Sequence, residues 1–388
     1  MKKIPYGRHK IFKNDIKYVC KILRSPSITQ GKTVEEFGNK IAKFVGSKYG
    51  VAVSSGTAAL HSAVACLNLK KGEEVITTPL TFCATANSVL YEGGEIKLAD
   101  IDINNLNIDP CEIEKKITKK TKAIIAVDFR GHPSNLIKIR NIAKKYNLKV
   151  IEDASHSLGS SYVNRDKKFK CGDCKHADMA TFSFHPVKHI TTGEGGIITT
   201  NNKKIFDKLN LFRKHGIQRS NKMFSKKKQI GKWYYDMEFL GYNYRLTDFQ
   251  SALGISQLKN LKKFIKRRRN IVNYYNSELK KIDQLILPYE EKNVDSNFHL
   301  YSLQIQNHKK RNRYSFFNYL VNNNYNPMIH YIPIHYLKYY KERYKFKKGD
   351  FKNSELFYSR TVSLPLFPTL KDKEVEKVVS DIKKFFEN

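Results

Sequence analysis

Between residues 49 and 151 the chain alternates short apolar runs with helical stretches, and this alternation restricts the possible folds more than any other feature. Residues 50–53 read as a strand and 58–69 as a helix, followed by a strand at 74–78 and a helix at 84–92. Residues 123–127, 136–146 and 149–151 repeat the sequence strand, helix, strand. Such a pattern implies parallel strands joined by covering helices, since each crossover must lay its apolar face on the sheet. The expected class is therefore α/β, with a large domain over residues 15–240 and an arm at 1–14. Beyond it the pattern changes. Thr247 and Gln250 fit a capping box, and Phe249, Leu253, Leu258, Leu261 and Ile265 recur at the spacing of one long helix with a buried face. A strand at 299–305 and a helix at 313–321 complete a smaller α+β domain over 241–388, leaving a cleft between the two.

Charge is the outlying quantity: 71 Lys and Arg against 36 Asp and Glu leave a formal +35. An excess of this size suggests an acidic partner such as nucleic acid, an anionic membrane or a phosphorylated substrate. The lysines, however, are dispersed from Lys70-Lys71 to Lys383-Lys384, whereas a nucleic-acid arm concentrates charge on one element. Dispersal reads as a drift of the whole surface toward lysine. The run 203–228 is unusually basic, and its tip, 218–228, reads as a solvated loop. No apolar stretch reaches the roughly 20 residues of a membrane helix, and the start, Met1-Lys2-Lys3-Ile4-Pro5, lacks the apolar core of a leader. A cytoplasmic location is expected, with six reduced cysteines. Cys171 and Cys174 have the spacing of half a zinc site with His176 nearby, but no second pair completes four ligands, so no metal is expected.

Three segments carry chemistry. Val53-Ser54-Ser55-Gly56-Thr57-Ala58 is a strand, a small-residue turn and a helix start, whose free amides can cradle a phosphate. Residues 150–153 form a strand that ends on Asp153, where a carboxylate can hold a protonated ring nitrogen or simply cap a helix. The stretch from Thr181 to Ile198 places Ser183 at a strand end and Lys188 beyond Pro186, before the turn at Gly193, Gly195 and Gly196. A lysine in such a turn is a candidate Schiff-base amine, because desolvation favours the neutral nucleophile. A solvated loop lysine is the bland alternative.

In that order the three segments resemble the sugar-nucleotide (DegT/DnrJ/EryC1/StrS-type) aminotransferases, enzymes of pyridoxal 5'-phosphate with the aspartate-aminotransferase-like fold (fold type I). The likeness runs nearly end to end: Ile28-Thr29-Gln30-Gly31, the turn at Ser54, TTPLTFCATANSVLYEGG from Thr77, EDASHSLGSSY from Glu152, FSFHPVKHITTGEGG from Phe182 and WYYDMEFLGYNYRLTDFQ from Trp233. His330-Tyr331-Ile332-Pro333-Ile334-His335 and the run 363–368 also fit. Within the family, GHPSNL from Gly131 and the lead from Cys174 to Met179 resemble the branch that makes a pseudaminic acid precursor.

The resemblance implies roles. Lys188 would bond the cofactor and shuttle a proton, Asp153 would pair with the pyridine nitrogen, and His156 would lie near the ring oxygen. Gly56, Thr57 and Ser183 would hold the phosphate, and Phe82 would stack on the ring, unless it is plain core. Asn243 would reach the phosphate of a neighbouring subunit, implying a homodimer with shared sites; its bland reading is a turn residue. Tyr6, Thr29, Gln30, His330 and Tyr331 border the family's substrate cleft, though Tyr6 could be surface and His330 a core histidine. Some relatives carry His in place of the lysine and dehydrate their substrate. Here His189 follows Lys188 without replacing it, so transamination is implied, with glutamate as donor and a UDP-linked 4-keto-6-deoxy-N-acetyl hexose as acceptor. The alternatives are another nucleotide 4-keto sugar, such as GDP-4-keto-6-deoxymannose, and a basic nucleic-acid-binding protein on an inert transferase fold.

Overall fold

The computed structural model describes residues 3–218, 233–306, 308 and 310–387. All but the first residue of the basic tip at 218–228 lies outside them. Seven strands form one sheet: β1 (Tyr49–Val53), β2 (Glu74–Thr77), β3 (Glu95–Leu98), β4 (Thr121–Val127), β5 (Lys149–Asp153), β6 (Met179–Ser183) and β7 (Gly196–Thr200). Their spatial order is β1-β7-β6-β5-β4-β2-β3. From β6 to β3 every pairing is parallel. β7 runs antiparallel between β1 and β6. Its direction follows from what precedes it: residues 184–195 contain no helix, so the chain has no crossover element and turns back beside β6. Lys188 sits in that return.

Alternate residues along each strand feed opposite faces. Val51, Val53 and Ile151 join the cluster under the helix Gly56–Ala65, whereas Ala52, Phe182 and Ile197 pack with Phe37 and Ile41 of the helix Lys32–Val45. This is the pattern of a sheet covered on both sides. A second core gathers around the three-stranded antiparallel sheet Leu285–Ile286, Tyr301–Ile305 and Thr361–Leu364. The capping box at Thr247 and Gln250 forms as expected. The single long helix does not: two helices, Asp248–Leu258 and Leu261–Leu279, replace it. Between them the amides of Lys259 and Asn260 bond three residues back, to Ser256 and Gln257, and the tighter turn redirects the chain. Leu261 and Phe264 belong to the first core and Ile271, Val272, Tyr275 and Leu279 to the second, so the second helix bridges both.

The strand Ile4–Pro5 pairs with Tyr325–Asn326, which ties the amino-terminal arm to the second core and carries Tyr6 toward the cleft. Cys174 is buried and donates to the Thr199 carbonyl at 3.3 Å, while His176 bonds the Tyr162 hydroxyl at 2.8 Å. Among the described residues no helix is long and apolar enough to cross a membrane.

Candidate active site

A cavity of about 510 Å³ opens at the carboxyl ends of β5 and β6. That is where functional groups gather in an open α/β sheet. Lys188, Asp153, His156, Ser183, Gly56, Thr57, Phe82, Tyr6, His330 and Tyr331 all line it. Register explains the convergence: Asp153 is opposite Val127 on one side and Thr181 on the other, while Ser183 is opposite Gly196.

Asp153 is held on both oxygens. Oδ2 accepts from Thr85 Oγ1 at 2.8 Å, and Oδ1 accepts from Ser155 Oγ at 2.6 Å and from its amide at 3.2 Å. Thr81 in turn bonds Thr85 at 2.8 Å. The carboxylate is thus fixed in direction before any ligand arrives. Beside it, the Ser55 side chain caps the helix Gly56–Ala65 by accepting from the Ala58 amide at 3.0 Å. The Gly56 and Thr57 amides, being first-turn groups, have no carbonyl inside the helix. A Cβ on Gly56 would come within 2.7 Å of Ser183 Cβ and 2.9 Å of its Oγ, so glycine is what lets this turn meet the serine.

Lys188 borders the open cavity, yet the surrounding protein strips enough water from its ammonium to push it down to about 8, against the opposing pull of Asp153. His156 bonds the Tyr331 hydroxyl through Nε2 at 3.1 Å, and its Nδ1 is buried without a partner. Burial first, then the neighbouring Lys188, holds this imidazole neutral. His330 is likewise pushed down to about 3 by burial and Lys188, and it bonds Ser363 Oγ at 2.8 Å. Phe82 is 57% exposed, a large apolar ring facing open space. Tyr6 lies 4.8 Å from the His330 ring, centroid to centroid.

Three expected residues stand elsewhere. Thr29 and Gln30 are exposed, held away because Thr29 bridges to Thr247 and the Asp248 carboxylate takes the amides of Gly31 and Thr33. Asn243 is exposed and bridges to Lys214. Sequence reasoning also missed Thr85 and Ser155, the clamps on Asp153, and His299, whose ring lies 4.3 Å from that of His156. Ser155 is two residues from the aspartate and could have been found as a local side-chain turn. Thr85 and His299 are distant in sequence and carry no such signal.

The set fits pyridoxal phosphate: free amides and a hydroxyl for a dianion, a clamped carboxylate for a ring N–H, an unpartnered imidazole nitrogen for a polar ring substituent, a flat apolar wall and an amine. Residues 9–383 match the profile of the DegT/DnrJ/EryC1/StrS aminotransferase family. The chain belongs to this family. Curated relatives include the spore coat polysaccharide biosynthesis protein SpsC of Bacillus subtilis, 36% identical over 98% of this chain and 96% of that one. A UDP-4-amino-4,6-dideoxy-N-acetyl-beta-L-altrosamine transaminase of Campylobacter jejuni is 36% identical over 97% and 95%, and a GDP-perosamine synthase of Escherichia coli 32% identical over 100% and 99%. Among solved structures, Helicobacter pylori PseC, described as an aminotransferase of pseudoaminic acid biosynthesis, superposes with a TM-score of 0.90 at 31% identity, each chain covered in full. A sugar aminotransferase from Streptococcus pneumoniae in its PLP-form gives 0.89 at 26%, with 99% of each covered. The protein is accordingly a sugar-nucleotide aminotransferase of fold type I whose cofactor is pyridoxal phosphate.

Proposed function

We propose that the chain transfers an amino group from glutamate to C4 of a UDP-linked 4-keto-6-deoxy-N-acetyl hexose, UDP-2-acetamido-2,6-dideoxy-β-L-arabino-hexos-4-ulose, in a cytoplasmic route to pseudaminic acid. The observation that carries this choice is the 36% identity to the Campylobacter transaminase over 97% of the chain, the Helicobacter pylori transaminase and the GDP-perosamine synthase each being 32% identical. The PseC superposition over the full chain supports it.

Bound pyridoxal phosphate supplies an electron sink that lets an amino group and a proton be exchanged at the carbon it engages. The chain's own residues do the rest. Gly56 and Thr57 amides and the Ser183 hydroxyl bind the phosphate. Asp153, kept as an oriented carboxylate, holds the proton on the ring nitrogen. His156, kept neutral, hydrogen-bonds the ring oxygen, and Phe82 excludes water from one ring face. Lys188 Nζ, held down to about 8 so that its neutral form is within reach near working pH, accepts a proton and delivers it to C4 of the sugar. Tyr6, His330 and Tyr331 border the space left for that sugar. Asn243 shares a flank with Thr29 and Gln30, since Thr29 pairs with Thr247, four residues beyond Asn243. In this reading that flank meets the cavity of a second copy, Asn243 reaching its phosphate and Thr29 and Gln30 its substrate, in a homodimer.

A single-turnover comparison tests the substrate. The protein loaded with amino group is mixed with the UDP-linked ketosugar or with GDP-4-keto-6-deoxymannose, and amino sugar is measured by mass spectrometry. Product from the UDP sugar at the higher rate is expected; product from the GDP sugar alone would transfer the protein to the rival branch.

A further inference from the structure

Behind the cofactor face lie three buried groups that no step above uses. Asp128, just past β4, Glu152, next to Asp153 on β5, and Cys171 are each 1% exposed or less. One ligating atom of each lies within 4.8 Å of the others. Alternate side chains of a strand point to opposite faces, so Glu152 is across the sheet from Asp153. The titratable groups that face the two carboxyls are Cys171, Asp173 and Tyr162, and none is a cation. Two ionised carboxylates cannot share such a site without a compensating charge, and one must keep a proton.

Hydrogen bonding says which. Both Asp128 oxygens already accept, Oδ1 from the Ser134 amide at 2.8 Å and Oδ2 from Ser157 Oγ at 2.6 Å, as suits a carboxylate. Glu152 Oε2 accepts from the Gly172 amide at 2.9 Å, but Oε1 is buried and receives nothing. An oxygen carrying the proton has no need of a donor. We propose that Glu152 is a neutral acid that donates a hydrogen bond to the Asp128 carboxylate, and that Asp128, so held, is a positioning residue for His156 and Asp153. Its main-chain N–H donates to the Asp153 carbonyl at 3.1 Å, and its side chain holds Ser157, the residue after His156. Burial and the neighbouring Asp128 charge both keep the Glu152 proton in place well above the ordinary carboxyl range.

The positioning half of this proposal rests on the cofactor roles given to Asp153 and His156; the proton half does not. Infrared difference spectra of the holoenzyme at pH 8, wild type minus Glu152→Gln, should show a carboxylic-acid C=O stretch that the variant has lost. Gln keeps a donor toward Asp128, so E152Q should hold the pH profile of the bound cofactor's visible absorbance and its kcat near wild type. Asp128→Asn should shift that profile and lower kcat by about tenfold or more with little change in KM. Ser157→Ala, which removes the hydroxyl joining Asp128 to the residue after His156 and leaves both carboxyl groups in place, should shift the profile the same way and keep the acid band, and it serves if Asp128→Asn fails to fold. No acid band in the wild type, or a band that survives in E152Q, overturns the proton assignment. Unshifted profiles in both Asp128→Asn and Ser157→Ala overturn the positioning role. Absence of cofactor absorbance in the wild type would instead count against the cofactor reading and leave the infrared result standing.

Discussion

Burial pushes the Lys188 ammonium down to about 8, so the fraction of neutral amine rises with pH through that value. The rate at which cofactor-free protein captures pyridoxal phosphate should therefore climb to half its plateau near pH 8 and level off above it. A lysine with the ordinary value of about 10.4 would still be gaining there; stopped-flow absorbance separates the two. Asp153→Asn keeps the shape and the Thr85 and Ser155 clamps but removes the charge that holds a ring proton. We expect kcat for amino transfer to fall on the order of 100-fold or more with cofactor still bound. Glu152 gives a stability prediction. Its folded pKa is raised, so its contribution is fully present below the unfolded value of about 4.3 and is lost as pH rises toward the folded one. Urea denaturation from pH 5 to 9 should show wild type losing stability relative to E152Q as pH increases. Lys188, Asp153 and the Gly56-Thr57 turn were legible because each is announced by its own neighbours in sequence. Thr85, which orients Asp153, and His299, which packs on His156, were not, because only tertiary folding brings a residue 68 or more positions away to their side.

Among elements, the helix Lys32–Val45 meets β1 glycine against glycine. A Cβ on Gly38 would lie 2.4 Å from the Gly50 carbonyl oxygen, and one on Gly50 2.3 Å from that of Gly38. Replacing a mid-helix glycine by alanine ordinarily stabilises by roughly 0.5–1 kcal/mol. Gly38→Ala should do the opposite, costing about 1–3 kcal/mol as the helix is forced off the strand; chemical denaturation reads the sign directly. Strands β1, β2, β4 and β5 and the helices Gly56–Ala65, Cys83–Tyr91 and Leu136–Lys145 were legible from apolar runs and periodicity, whereas β3 and the helix Pro110–Lys116 were not. The reversal of β7 was not, since a strand's own residues do not state its direction and only the helix-free return at 184–195 does. Likewise the apolar spacing from Phe249 to Ile265 continues across the break at Lys259 and Asn260, because both helices turn the same kind of face toward one core.

For the whole molecule, the net charge of +35 needs no nucleic acid to account for it: the proposed phosphate cradle is built from amides, a hydroxyl and, across the dimer, Asn243. At most the charge speeds encounter with an anionic sugar nucleotide. The shared sites proposed above predict complementation. Lys188→Ala and Asn243→Ala chains, each nearly inactive alone, should on mixing and re-equilibration recover about one quarter of wild-type activity, since half the dimers then carry one intact site. No recovery would mean that Asn243 does not act across an interface. The most direct measurement of the central claim is the visible absorbance of the purified protein during titration with glutamate, repeated for Lys188→Ala. The account predicts a cofactor band in the wild type that shifts as 2-oxoglutarate appears in equal amount, and no such shift in the variant. A wild-type protein that stays colourless with added pyridoxal phosphate, or a Lys188→Ala protein that responds to glutamate as the wild type does, would contradict it.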